Sequence, residues 1–231
     1  MKIELVHPFF NNYSDTIELY SGIYKMSSWV SRVNRIAKDI EKDPSTVNFI
    51  SKETIPEKIA NDFRGSSFEF FGEIFLKLFG VIPQIGIRNY EPCSSDDDNP
   101  DMGVDGMGIG MNGKIMTVQF KFRGDTQKLL NAEKDHLNNF VNASFEPPFG
   151  VDINDKGNML IITTGKEVLY KDMLVEWRDK VKYIAFNESW GCFENQKFQK
   201  QGPTPIFSLK SLIDDNTIFW ETAKEIISNN K

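Results

Sequence analysis

Residues 115–122 read IMTVQFKF, and this stretch constrains the chain most. Side chains on an extended backbone alternate between faces. Met116, Val118, Phe120 and Phe122 therefore share one side, and Thr117, Gln119, Lys121 and then Arg123 share the other. The apolar side demands a core. It does not explain why a glutamine and a lysine stand together on the opposite side. Just upstream lies DMGVDGMGIGMNGK. Asn112-Gly113 between two extended runs predicts a hairpin, with a type I′ turn that needs positive φ at both central residues. The segment thus predicts two paired strands, with Asp105 on the first arm or just before it.

The same glycines offer a competing reading. GIGMNGK fits G-x-x-x-x-G-K and contains G-x-G-x-x-G. A phosphate-binding loop needs Ser or Thr after the lysine, and this chain has Ile115. Such loops also open a helix, whose N-terminal N–H groups hold the phosphate. Here the next segment has the pattern of a strand, so the hairpin is favoured. A nucleotidase reading predicts nucleotide binding through Lys114.

The rest of the chain predicts alternating helices and strands. Trp29, Val30, Val33, Ile36 and Ile40 recur at helical spacing within 27–42, with Ser27 or Ser28 as N-cap. IPEKIANDF (55–63) predicts a short helix with proline near its start. GSSFEFFGEIFLKLFG (65–80) predicts a second, apolar over much of its circumference and so a core helix. VIPQIGIRNY predicts a strand and EPCSSDDDNPDMG a loop. TQKLLNAEKDHLNNFVNA (126–143) predicts a helix burying Leu129, Leu130, Leu137, Phe140 and Val141. NMLIITTG and VKYIAF predict strands, with the helix YKDMLVEWRDK between them. FWETAKEIISNN predicts a closing helix. This order predicts an α/β fold with a central mixed sheet flanked by helices.

Composition narrows the function classes. In 231 residues the net charge is −6, which argues against a protein that coats nucleic acid non-specifically. A nucleic-acid enzyme needs only a local basic surface, and from Lys121 onward the charges are nearly balanced. No apolar run is long enough for a membrane span, and MKIELVHPFF lacks a signal-peptide core. Cys93 and Cys192 have no metal-ligand spacing. They predict free thiols in an intracellular, cytoplasmic protein, with a single disulfide as the alternative.

One chemistry uses an aspartate, a glutamine, a lysine and a helix carboxylate together. Phosphodiester hydrolysis needs a divalent cation to polarise the phosphate and activate water. Mg²⁺ takes oxygen ligands, including one or two carboxylates. Asp105 supplies a carboxylate, and Gln119 an amide oxygen, directly or through water. Lys121 orients the water or stabilises developing charge. Glu69 completes the set, with Glu73, one helical turn on, as fallback. Taken singly, each has an ordinary explanation: a turn aspartate, a cross-strand glutamine, a lysine snorkelling from a strand edge, a solvated helix glutamate. The set in this order carries the chemistry.

These residues resemble the motifs of the PD-(D/E)XK, or restriction-endonuclease-like, nuclease superfamily. GSSFEFFGEIFLKLFG looks like its first core helix with its Glu, DMGVDG like its metal-binding Asp segment, and VQFKF like its (D/E)-x-K strand. Glutamine in place of the acid is similar to the Mrr-type branch. The likeness covers about residues 65–165. It implies catalytic roles for Glu69, Asp105, Gln119 and Lys121, and metal binding by Asp105, Gln119 and Glu69. Asp101, in Pro100-Asp101, matches the letters of the motif, but Asp105 in GVDG fits the hairpin position better. The glutamine removes one negative charge from the metal site.

The resemblance further implies a nuclease domain over 65–231, packed as one unit with a mainly helical extension over 1–64. It implies a metal-dependent DNA endonuclease using Mg²⁺, with Mn²⁺ able to substitute. DNA is the expected partner, contacted by Arg123, Lys128 and Lys166. Lys134, Lys171, Arg178, Lys180 and Lys182 are further phosphate-contact candidates, and a homodimer would suit cutting of both strands. His136 is expected on the polar side of its helix, Thr163 and Thr164 at the end of a strand, and Trp190 in a loop. The alternative is a nuclease-fold module that binds DNA or protein without cutting.

Overall fold

In a computed structural model, residues 3–93, 103–131, 134–166, 168–169, 180–186 and 208–231 are described. Asp101, Lys171, Arg178, Trp190, Cys192 and the helix expected at YKDMLVEWRDK lie outside them. In chain order the elements are α1 (Phe9–Asn12), α2 (Met26–Lys42), α3 (Pro56–Phe79), β1 (Ile87–Pro92), β2 (Gly106–Gly110), β3 (Ile115–Lys121), β4 (Leu130–Asn131), α4 (Leu137–Phe145), β5 (Met159–Thr163), β6 (Val168–Leu169), β7 (Val181–Ile184), α5 (Leu209–Ile213) and α6 (Thr217–Asn230).

The sheet is mixed, as the sequence predicts. Its order is β1-β2-β3-β5-β7, with β4 and β6 forming a separate pair. β2 is antiparallel to both β1 and β3, whereas β5 runs parallel to β3 and β7. Met116, Val118 and Phe120 of β3 join Leu160, Ile162 and Ile184 in a core shared with α2, α3 and α6. The other face packs Met159, Ile161, Val181 and Tyr183 against Leu137, Phe140 and Val141 of α4.

Four local expectations are corrected. The two helices expected at 55–63 and 65–80 are one, α3, continuous through Gly65. Phe63 and Phe68 are both fully buried, and Ser67 returns its hydroxyl to Arg64 O, so tertiary packing carries the helix across the polar turn. Residues 126–131 and 134–136 are not helical. Asp125 accepts the Gln127 N–H and Asp135 accepts the Asn131 N–H, turns that compete with helix formation. Leu129 is accordingly exposed, and His136 precedes α4 in a left-handed conformation. The hairpin exists, but Gly113 has positive φ and Asn112 does not, so its turn is not type I′. Finally, α2 begins at Met26 with no side-chain cap from Ser27 or Ser28.

α3 is apolar nearly all round because it lies between two layers. Phe68 meets Phe120 and Phe122 on the sheet side. Phe70 meets Phe9, and Phe71 meets Trp29 and Trp220 on the other. Fully burying each such ring contributes about 1.5–3 kcal/mol. Among the described residues, no helix is long and apolar enough to cross a membrane.

Candidate active site

The β2–β3 hairpin positions two of the expected residues. Gly106 is paired with Val118, and Asp105 stands just outside this ladder. The Asp105 N–H donates to Val118 O at 2.9 Å, and its Oδ2 accepts the Phe120 N–H at 2.5 Å. Its carbonyl accepts the Cys93 N–H at 2.9 Å and faces the Tyr90 hydroxyl at 3.5 Å. Asp105 is thus held from both neighbouring strands. Burial, then the charges of Asp105 and Glu91, push the Cys93 thiol up to about 11.

Gln119 lies on the α4 face of β3, where Thr117 Oγ1 and Ser144 Oγ are 2.8 Å apart. The sequence marks this face as polar; the structure also buries it, leaving Gln119 only 1% exposed. Gln119 Nε2 donates to Gly103 O at 2.7 Å. That bond fixes the orientation of the amide and leaves Oε1 buried with no hydrogen-bond partner among the described residues. Lys121 ends β3 beside Thr163 and is partly exposed. Its carbonyl accepts the Thr163 hydroxyl at 2.7 Å, and no ion pair of its ammonium occurs among the described residues.

The two helix glutamates have different environments. Glu73 is fully buried and accepts the Val6 N–H at 2.9 Å, the His7 N–H at 3.1 Å and Lys77 Nζ at 2.7 Å. Its carboxylate holds the N-terminal segment against α3. Glu69 has a side chain 30% exposed, and its Oε2 is 3.2 Å from His7 Nε2. Tyr90, whose hydroxyl faces Asp105 O, is buried. Its pKa is driven well above the usual phenol range by burial first, then by Asp105, Glu69 and Glu73.

The basic residues divide. Arg123 is paired with Asp135 and partly buried. Lys128 is exposed, and its carbonyl accepts the Lys166 N–H at 2.8 Å, so these two lie together beyond the ends of β3 and β5. Lys134 is also exposed. Lys180 and Lys182 instead donate to Ile153 O and Ile85 O, which ties down neighbouring chain segments. Thr163 and Thr164 serve as local staples: Thr164 Oγ1 accepts the Arg123 N–H and donates to Arg123 O. Lys114 is paired with Asp152 and Asp155, and its loop runs into β3 rather than a helix.

His7 escapes sequence reasoning altogether. Its partner is 62 residues away, and nothing in VHPFF marks it. Among the described residues, no three His, Cys, Asp or Glu side chains are grouped to hold a metal ion. The oxygen donors that the sequence proposes come from the hairpin, as Asp105 and the Gln119 amide oxygen, and from α3, as Glu69. No family model, curated protein or solved structure matches this chain.

Proposed function

We propose that the protein is a metal-dependent DNA endonuclease that hydrolyses phosphodiester bonds on a restriction-endonuclease-like core. The observation that carries this reading is the buried, unpartnered Oε1 of Gln119, on the strand next to Asp105. An interior amide oxygen with no donor is costly, and a cation or a water bound to it would relieve that cost. The chain order also supports it: a core helix, an antiparallel β1-β2-β3 meander, a helix, then β5 parallel to β3.

Asp105, Gln119 and Glu69 would hold Mg²⁺, or Mn²⁺ in its place, with waters and substrate phosphate filling the remaining positions. Such a cation supplies Lewis acidity at the phosphate. Lys121, whose ammonium has no ion-pair partner among the described residues, places positive charge where the attacking water and developing oxyanion would lie. Lys128 and Lys166 would contact the DNA backbone. A homodimer would give paired cuts in the two strands.

The second reading, a nuclease-fold module that binds without cutting, is favoured by a different observation. Asp105 Oδ2 and Glu69 Oε2 are both already engaged, by Phe120 N–H and His7. Cleavage of supercoiled plasmid with Mg²⁺ or Mn²⁺ separates the two. Cutting by wild type that is lost with Lys121→Ala and with EDTA is the expected result. Retarded mobility of the same DNA without cutting would select the binding module.

A further inference from the structure

We propose that His7 is a positioning residue for Glu69, so that the N-terminal extension takes part in building the active site. This rests on the nuclease reading above. The Phe9 N–H donates to His7 Nδ1 at 3.2 Å. That leaves the ring proton on Nε2, which donates to Glu69 Oε2 at 3.2 Å. The His7 side chain is 5% exposed, so this bond is shielded from water on the histidine side.

The ring is itself held from behind. Glu73 accepts the backbone N–H groups of Val6 and His7, and Lys77 compensates the charge of Glu73. A run of bonds therefore leads from Lys77 through Glu73 and the His7 backbone to the His7 ring and Glu69. It fixes one oxygen of Glu69. The other has no hydrogen bond among the described residues, and the side chain remains partly exposed. A carboxylate with one oxygen anchored by a buried donor and the other open is oriented for a ligand. Removing such a supporting donor typically costs about 10–100-fold in metal affinity or activity.

Two substitutions separate positioning from general support of the fold. In His7→Asn the short amide can still accept the Phe9 N–H through its oxygen, but it does not reach Glu69. In His7→Gln the amide nitrogen reaches the position of Nε2. Plasmid-cleavage kcat and KM and Mn²⁺ affinity by calorimetry would be measured for both, each also in a Glu69→Ala background. Expected for His7→Asn is a loss of about 10-fold or more in kcat and weaker Mn²⁺ binding, with KM for DNA unchanged. His7→Gln should restore most of it, and neither change should matter once Glu69 is alanine. Equal activity of His7→Asn and wild type, or equal losses with and without Glu69, would overturn the positioning role while leaving the nuclease reading intact. A wild-type protein that neither cuts DNA nor binds Mn²⁺ would overturn both.

Discussion

At the scale of single residues, Gln119 decides the character of the site. A glutamate there would carry the acid of the motif that the sequence resembles, but this chain has built its surroundings for an amide. Nε2 donates to Gly103 O at 2.7 Å, and Gly103 has φ +78° with its Cα close enough that a Cβ would sit 3.4 Å from that nitrogen. Gln119→Glu replaces the donor with an oxygen facing a carbonyl, in a position almost without solvent. We expect it to destabilise the metal-free protein by about 1–3 kcal/mol, the cost of an unsatisfied buried polar group. Because the new carboxylate adds charge to the oxygen donors, millimolar Mn²⁺ should recover part of that loss by binding the folded state. Urea midpoints of both proteins, with and without Mn²⁺, check this. The variant's midpoint should rise more with Mn²⁺ than the wild type's. An equal response would remove Gln119 from the proposed metal site.

At the scale of elements, the site depends on how α3 lies on β3. The contact is set by one glycine: a Cβ built on Gly72 would fall 2.1 Å from the Phe120 ring. Phe120 cannot easily yield, because Phe68 meets it edge-on at 5.7 Å and Tyr90 at 6.3 Å. Gly72→Ala should therefore cost about 1–3 kcal/mol through overpacking, despite alanine's better helix propensity. Phe120→Leu in the same chain should relieve part of the penalty, giving a non-additive pair in denaturant titrations. This contact joins residues far apart in sequence, which shows where sequence reading stops. Period-2 alternation revealed β3, and 3.6-residue spacing revealed α2, because each element shows its burial pattern in its own residues. The close spacing of Asp105, Gln119 and Lys121 made their placement around the β2–β3 hairpin legible too. The continuity of α3 was not, since packing from two layers overrides the Gly-Ser-Ser signal. Nor was the absence of helix over 126–131, where aspartate side chains capture backbone N–H groups. His7 and the roofing of Gln119 by α4 depend on contacts that no local pattern encodes.

At the scale of the whole molecule, the extension and the sheet share one core. Trp29 of α2 lies 5.0 Å from Phe71 of α3, and Tyr20 lies 6.1 Å from Trp220 of α6. The chain's two end segments also meet: Asn230 accepts the Leu5 N–H and donates to Ile3 O. The division at 64/65 falls inside α3, not in a linker. A fragment of residues 65–231 would thus lose the first turns of its core helix and expose Phe68, Phe70 and Phe71, all fully buried in the intact chain. It would also lose the backbone donors that occupy Glu73 and leave that carboxylate without them. Truncating one side of a buried charged network costs about 3–5 kcal/mol, comparable with the whole stability of many domains. We expect the intact protein to unfold in one transition that coincides by far-ultraviolet and near-ultraviolet circular dichroism. The fragment should show no cooperative melting and should bind a hydrophobic dye. A fragment that melts cooperatively would make 1–64 a separable attachment, and a separable attachment could not be what keeps Glu69 in place.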